Sequence, residues 1–251
     1  MKNFKNKTIV ITGGTSGIGL ATAKELVAKE ANVILTGRHQ EAVASESKAI
    51  GAIGIVSDQS DLNQVAVLVN KVGAQFEKVD VLFINAGIAA FSPISMITED
   101  HFDGIMDINF KGALFTLKEF LPILNDGASV IFLSSINAYN AMENTTVYAA
   151  SKAALNALAK VAAIELAPRG IRVNVVSPGP VNTPLWGKVG MNEEQLSQTA
   201  SLIQSKVPLR KFASPEEIAK TVVFLASDDS SNTTGAEFVV DGGFNLNALV
   251  G

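Results

Sequence analysis

The sequence predicts one doubly wound α/β domain spanning residues 1–251, a parallel sheet with helices on both faces. Three observations carry this. Strand-like and helix-like segments alternate from end to end, without a linker, a repeat or a low-complexity tract. The strands are short, continuous apolar runs rather than alternating ones, as when both faces of a parallel sheet are covered. A glycine-rich turn separates the first strand from the first helix.

Thr8 to Thr12 is β-branched and opens the sheet; Gly13-Gly-Thr-Ser-Gly17-Ile-Gly19 follows, then an Ala/Leu-rich helix to about Lys29. Asn32 to Thr36 is the second strand, and a helix over about Glu41 to Ile50 leads to a third at Ala52 to Val56. Asp61 has the position of an N-cap for a helix reaching about Phe76. Val79 to Ile84 is the fourth strand and ends in Asn85-Ala86-Gly87. A long helix is expected from Thr98, through Asn109, to near Leu124, followed by a fifth strand at Ser129 to Leu133. Val147 to Leu166 is rich in Ala and Leu, free of Gly and Pro, and therefore helical. Arg172 to Val176 is the sixth strand. Ser214 caps a helix with Pro215 in its first turn, running to Ala226, and Glu237 to Val240 closes the sheet. Residues 180–210 are the least regular span and are read as a substrate lid enclosing a short helix near Asn192 to Gln204.

Composition removes several classes of function. Of the residues, 47% are hydrophobic and 18% charged, with mean hydropathy +0.28, enough to bury a large core. The net charge is −4 without a basic run, which argues against nucleic acid as a partner. With no cysteine there is no thiol nucleophile or disulfide. The two histidines, His39 and His101, fall in a strand-end turn and a helix start, which leaves a Ser-His-Asp triad without its base, and no metal site is expected. No apolar stretch is long enough for a membrane span or signal-peptide core, so a soluble, cytoplasmic protein is expected.

Two local patterns point to chemistry. A strand, a glycine turn and a helix N-terminus form an arrangement that admits a dinucleotide's pyrophosphate close to the backbone. Here the spacing is G-x-x-x-G-x-G, at Gly13, Gly17 and Gly19. Tyr148 and Lys152 lie four residues apart on one helix and so project from one face. A cation beside the phenol is expected to lower its pKa and fit it for proton transfer.

Together with Asn85-Ala86-Gly87, Asn109, Ser135 and Pro178-Gly179 in this order, these motifs make the chain resemble the short-chain dehydrogenase/reductase family over essentially its whole length. The resemblance implies a Rossmann-type fold with seven parallel strands in the order 3-2-1-4-5-6-7, and a catalytic set of Asn109, Ser135, Tyr148 and Lys152. Tyr148 would be the proton donor in reduction, Lys152 would hold the nicotinamide ribose, and Ser135, thirteen residues before Tyr148, would bind the substrate oxygen. In relatives the residue at Asn109 kinks its helix and holds a water in the proton relay.

The cofactor positions implied are Gly13, Thr15, Ser16, Gly17, Ile18 and Gly19, then Arg38 and His39, Asp58 and Gln59, Asn85 to Gly87, and Pro178, Gly179, Val181 and Thr183. NADP(H) is expected rather than NAD(H). Gly37 stands where NAD-binding members commonly place an acid, and Arg38 beside it offers a guanidinium suited to a 2′-phosphate. A solvated surface arginine is the alternative, and Ser16 departs from the second basic residue that many NADP-binding relatives carry. Asp58 and Gln59 would flank the adenine; turn formation and helix capping are the alternative.

The pocket would draw on Phe91, Ile136, Asn137, Ala141, Met142, Leu185 and Trp186, a largely apolar set without Lys or Arg. It therefore favours an uncharged ketone or aldehyde, reduced by a carbonyl reductase. Alternatives are a 3-oxoacyl-[acyl-carrier-protein] reductase, for which Arg169 and Arg172 could form a docking patch, a sugar dehydrogenase, and a non-catalytic NADP(H) sensor. A homotetramer is also implied, with the tail from Phe238 through Phe244, Leu246, Leu249 and Val250 as apolar interface.

Overall fold

The computed structural model describes residues 4–183 and 193–246. Seven strands form one sheet in the order β3-β2-β1-β4-β5-β6-β7, and every pairing is parallel. They are β1 (Thr8–Ile11), β2 (Asn32–Gly37), β3 (Ile53–Val56), β4 (Val79–Ile84), β5 (Leu124–Leu133), β6 (Arg172–Pro178) and β7 (Glu237–Val240). The helices between them are α1 (Gly17–Val27), α2 (Gln40–Ile50), α3 (Leu62–Phe76), α4 (Glu99–Met106), α5 (Ala113–Phe120), α6 (Thr146–Leu166), α7 (Glu193–Lys206) and α8 (Pro215–Ala226).

Because successive strand residues face opposite sides, each apolar strand supplies two cores at once. Val10, Ile34, Leu82 and Phe132 pack on one side with Leu68 of α3, Phe120 of α5 and Leu155 of α6. Ile9, Ile11, Leu35 and Phe83 pack on the other with Leu26 of α1 and Val222 of α8. Each fully buried Leu, Ile or Phe contributes about 1.5–3 kcal/mol relative to exposure. Continuous apolar strands are thus the requirement of a sheet sandwiched between helical layers.

The helix starts follow the capping residues. Asp61 accepts hydrogen bonds from the Asn63 and Gln64 amides. Ser214 and Glu217 cap each other's backbone reciprocally, with Pro215 in the first turn of α8.

Two elements differ from expectation. The long helix after Thr98 is interrupted by a π-helical turn at Asp107–Gly112, and its α-helical part ends at Phe120. A π turn carries one more residue per hydrogen-bonded ring than an α turn, so the side chains beyond it are rotated. The fifth strand begins at Leu124 rather than Ser129, because Leu124 pairs with Val79 ahead of a register break between Val79 and Val81. Gly127 takes φ +79° in that stretch.

Candidate active site

The carboxyl ends of β1, β2, β4, β5 and β6 point the same way, and the candidate residues leave the sheet there. Thr12 follows β1. Its hydroxyl oxygen accepts from the backbone amides of Asn85 and Ala86, both at 3.0 Å. Asn85 in return donates its side-chain amide to the carbonyls of Thr12 and Gly13, both at 2.9 Å. The clasp joins the glycine turn to the loop after β4. Gly19 sits below it, where a Cβ would lie 2.4 Å from the Gly13 carbonyl oxygen and 2.6 Å from Asn85 Nδ2. That approach admits only glycine.

A cavity of about 290 Å³ opens over this turn. Gly13, Thr15, Ser16, Gly17 and Ile18 line one side; Arg38, His39, Asp58 and Gln59 line another, with Asn85, Ala86, Gly87 and Thr183 across from them. Gly19 packs beneath it without lining it. Ser16 caps α1 without a side-chain hydrogen bond, so the first amides of that helix are left to the cavity. Donor amides at a helix N-terminus and a close-packed glycine turn fit a pyrophosphate. The Arg38 guanidinium is exposed on the rim and donates to His39 Nε2 at 3.2 Å. Asp58 is tied to its own turn, one carboxylate oxygen accepting from the amide and hydroxyl of Ser60. Gln59 is buried and donates to the carbonyls of Ala86 and Ile108.

A second cavity, of about 210 Å³, adjoins the first along Ile18, Asn85, Gly87, Ile88, Leu133 and Thr183. Ser135, Tyr148 and Lys152 line it, as do Pro178, Gly179 and Val181. Ser135 follows β5. Its hydroxyl oxygen accepts from the Asn137 amide at 3.2 Å and the hydroxyl hydrogen-bonds Tyr148. Ser134 turns away and donates to the Lys152 carbonyl.

Tyr148 and Lys152 share the face of α6 that their spacing predicts, but the electrostatics differ from expectation. Burial raises the Tyr148 pKa above its ordinary value of 10, with the Ser135 hydrogen bond pulling it down more weakly. Burial lowers Lys152 to about 8. Lys152 Nζ lies 5.8 Å from the centre of the Tyr148 ring and donates to the Leu133 carbonyl at 2.8 Å. Loss of hydration therefore sets the direction of both shifts, and the Ser135 hydrogen bond offsets it only in part for the phenol.

Asn109 lies in the π turn and is 1% exposed. Its Oδ1 accepts from the Ile88 amide at 2.8 Å, and Nδ2 donates to the Ile88 carbonyl at 2.9 Å and to Ser151 Oγ at 3.1 Å. Ser151 donates to the Tyr148 carbonyl at 2.7 Å. Asn109 is thus linked to the Tyr148 backbone through a single serine.

Phe91, Ile136, Asn137 and Met142 all line the second cavity. Phe91 meets the Tyr148 ring edge to face, with centroids 6.4 Å apart. Ala141 is not among the lining residues, and Leu185 and Trp186 lie outside the described residues. Wall residues that the sequence does not single out for the pocket include Ile88, Leu133, Ile203 of α7 and Phe244, the last of which is also part of the tail expected at a subunit contact. Leu249 and Val250 also lie outside the described residues. The roles of Ser151 and of the Thr12 hydroxyl were missed as well; position beside Lys152 and Gly13 was the available signal.

Arg169 and Arg172 correct another expectation. Arg169 pairs with Asp126 and donates to the carbonyls of Leu121 and Leu124. Arg172 donates to Leu225, Ser227 and Ser230. Both sit by the amino-terminal ends of β5 and β6, away from the cavities. Among the described residues, no group of acids and histidines has the arrangement of a metal site, and no helix is long and apolar enough to cross a membrane.

The chain is similar along nearly its whole length to known proteins. The family profile described as enoyl-(acyl carrier protein) reductase matches residues 13–245. The chain is 35% identical over 250 residues to an NADP-dependent (R)-specific alcohol dehydrogenase of Lentilactobacillus kefiri, covering 96% of this chain and 97% of that one. It is 34% identical to a 3-oxoacyl-[acyl-carrier-protein] reductase of Thermotoga maritima, covering 96% and 98%. The crystal structure of a short-chain dehydrogenase/reductase from Brucella melitensis, titled glucose/ribitol dehydrogenase, superposes with a TM-score of 0.91 at 31% identity, covering 97% and 98%.

Proposed function

Since the chain belongs to the short-chain dehydrogenase/reductase family of oxidoreductases, we propose that it is an NADP(H)-dependent carbonyl reductase acting on uncharged ketones or aldehydes. The observation that carries this reading is the second cavity: Ser135 and Tyr148 stand against walls supplied by Phe91, Ile136, Met142, Val181 and Phe244. Among the described residues no Lys or Arg other than Lys152 lines it, which favours an uncharged substrate over a phosphate or carboxylate.

The nicotinamide would supply and take back the hydride. The chain's own residues do the rest. Ser135 donates a hydrogen bond to the substrate oxygen, and Tyr148 gives that oxygen its proton. A raised pKa keeps the phenol protonated through neutral pH, the form reduction needs; oxidation needs the phenolate and is favoured at alkaline pH. Lys152 and the Asn85-Ala86-Gly87 loop would hold the nicotinamide ribose, the α1 N-terminus the pyrophosphate, and Arg38 the 2′-phosphate. The NADP dependence named for the Lentilactobacillus relative supports that choice.

In this reading the span 180–210 is the lid, a role that Ile203 in the cavity wall supports. A single domain over 1–251, a homotetramer and a cytoplasmic location complete the reading. Exposed Val161 and Ile164 on α6 are apolar surface of the kind that a subunit contact covers.

Initial-rate reduction of aryl ketones, β-ketoesters, diketones, a sugar and a 3-oxoacyl thioester, each with NADPH and NADH, tests the assignment. Simple ketones with NADPH are expected to react fastest. Preference for the thioester would place the protein with the Thermotoga relative, although Arg169 and Arg172 are both engaged within the fold. Preference for NADH would remove the role given to Arg38.

A further inference from the structure

We propose that Gln59 is a positioning residue for catalysis, bracing the adenine-side wall of the cofactor cavity against the π turn that carries Asn109. The inference rests on the catalytic reading of Asn109 and Tyr148 given above.

Three segments meet at this side chain. Gln59 follows β3 directly behind Asp58 on the cavity rim, and it is 6% exposed. Its Nε2 donates to the Ala86 carbonyl at 3.1 Å, in the loop after β4, and to the Ile108 carbonyl at 3.0 Å, one residue before Asn109. Two carbonyl acceptors on that side fix the orientation of the amide, since its oxygen would repel both. The backbones also touch: a Cβ on Gly112 would lie 2.3 Å from the Gln59 carbonyl oxygen and 2.9 Å from that of Asp107. Only glycine lets the π turn approach so closely.

The remaining amide atom argues for a role beyond packing. Gln59 Oε1 is buried and has no hydrogen-bond partner among the described residues. Burying an acceptor unpaired is unfavourable. Leucine or methionine would fill similar volume without that cost, but neither could donate to Ala86 and Ile108 together. From Ile108 the chain of contacts continues to Asn109, then Ser151, then the Tyr148 carbonyl. Movement of the π turn is thereby passed to the proton donor, at the distance scale where small displacements cost rate.

The test uses purified full-length enzyme with its best ketone: wild type, Gln59→Met, Asn109→Ala and the double variant. Gln59→Met is expected to lower kcat about tenfold while the KM for the dinucleotide changes less than about twofold. In the Asn109→Ala background the same substitution should have almost no further effect, because the brace acts through Asn109. Wild-type kcat in Gln59→Met alongside an impaired Asn109→Ala overturns the proposal while leaving the catalytic reading intact. So do losses that multiply in the double variant, which mark a general structural role. Unimpaired Asn109→Ala overturns the proposal together with the reading beneath it. If Gln59→Met does not fold, Gln59→Glu takes its place in the same cycle, keeping the shape while removing the amide donors.

Discussion

Replacing Lys152 by methionine should change stability by an amount that depends on pH. The ammonium is buried, and its pKa falls from 10.5 to about 8 on folding. Below pH 8 the lysine is charged in both states, and keeping that charge in the fold costs about 3 kcal/mol at 1.36 kcal/mol per pKa unit. Between pH 8 and 10.5 the unfolded chain binds more protons than the folded one, so stability rises with pH. Above 10.5 the amine is neutral in both states and the penalty is gone. Methionine never titrates. The stability of wild type relative to Lys152→Met should therefore increase by about 2–3 kcal/mol from pH 7 to pH 10. The orphaned Leu133 carbonyl affects the variant about equally at both pH values and cancels in this comparison. The assay is urea unfolding of cofactor-free protein at both pH values and one protomer concentration. Parallel pH dependence in the two proteins would refute the claim that burial, rather than an ion pair with the phenolate, sets the charge state of Lys152.

Tyr148→Phe should abolish nearly all turnover while NADPH still binds, measured by fluorescence titration; substantial residual rate would remove the phenol from the proton-transfer step. Arg38→Asp should move the ratio of kcat/KM for NADPH over NADH toward NADH by about tenfold or more, as a carboxylate replaces the only guanidinium lining the cavity among the described residues. An unchanged ratio would show that the 2′-phosphate is held elsewhere. Gly19→Ala should weaken dinucleotide binding and destabilise the fold by about 1–3 kcal/mol, because the new methyl meets the Gly13 carbonyl and Asn85. A wild-type unfolding midpoint would mean that the turn yields freely.

Sequence carried the elements whose signal is local. The Gly13–Gly19 turn, the caps at Asp61 and Ser214, and the one-turn spacing of Tyr148 and Lys152 are set within a few residues, and the structure places them accordingly. What escaped depends on distant partners. The early start of β5 follows from pairing with Val79, and the π turn packs through Gly112 against Gln59, about fifty residues earlier in the chain. The place of Phe244 in the cavity wall was not legible because apolarity alone does not say which hollow a ring will line. The shift on Tyr148 was misjudged because spacing reveals the neighbouring cation but not how far both groups lose water.

The clasp between Thr12 and Asn85 has a consequence for synthesis as well as for the finished enzyme. Its two halves are 73 residues apart along the chain. The glycine turn leaves the ribosome early, yet its conformation is held by a loop that does not exist until β4 and the residues after it have been made. A parallel pair joined across so long a connection must close a large loop before any contact rewards it. The nascent amino-terminal third therefore carries the glycine turn without the clasp that holds its shape, and the turn is fixed only once the centre of the sheet has formed.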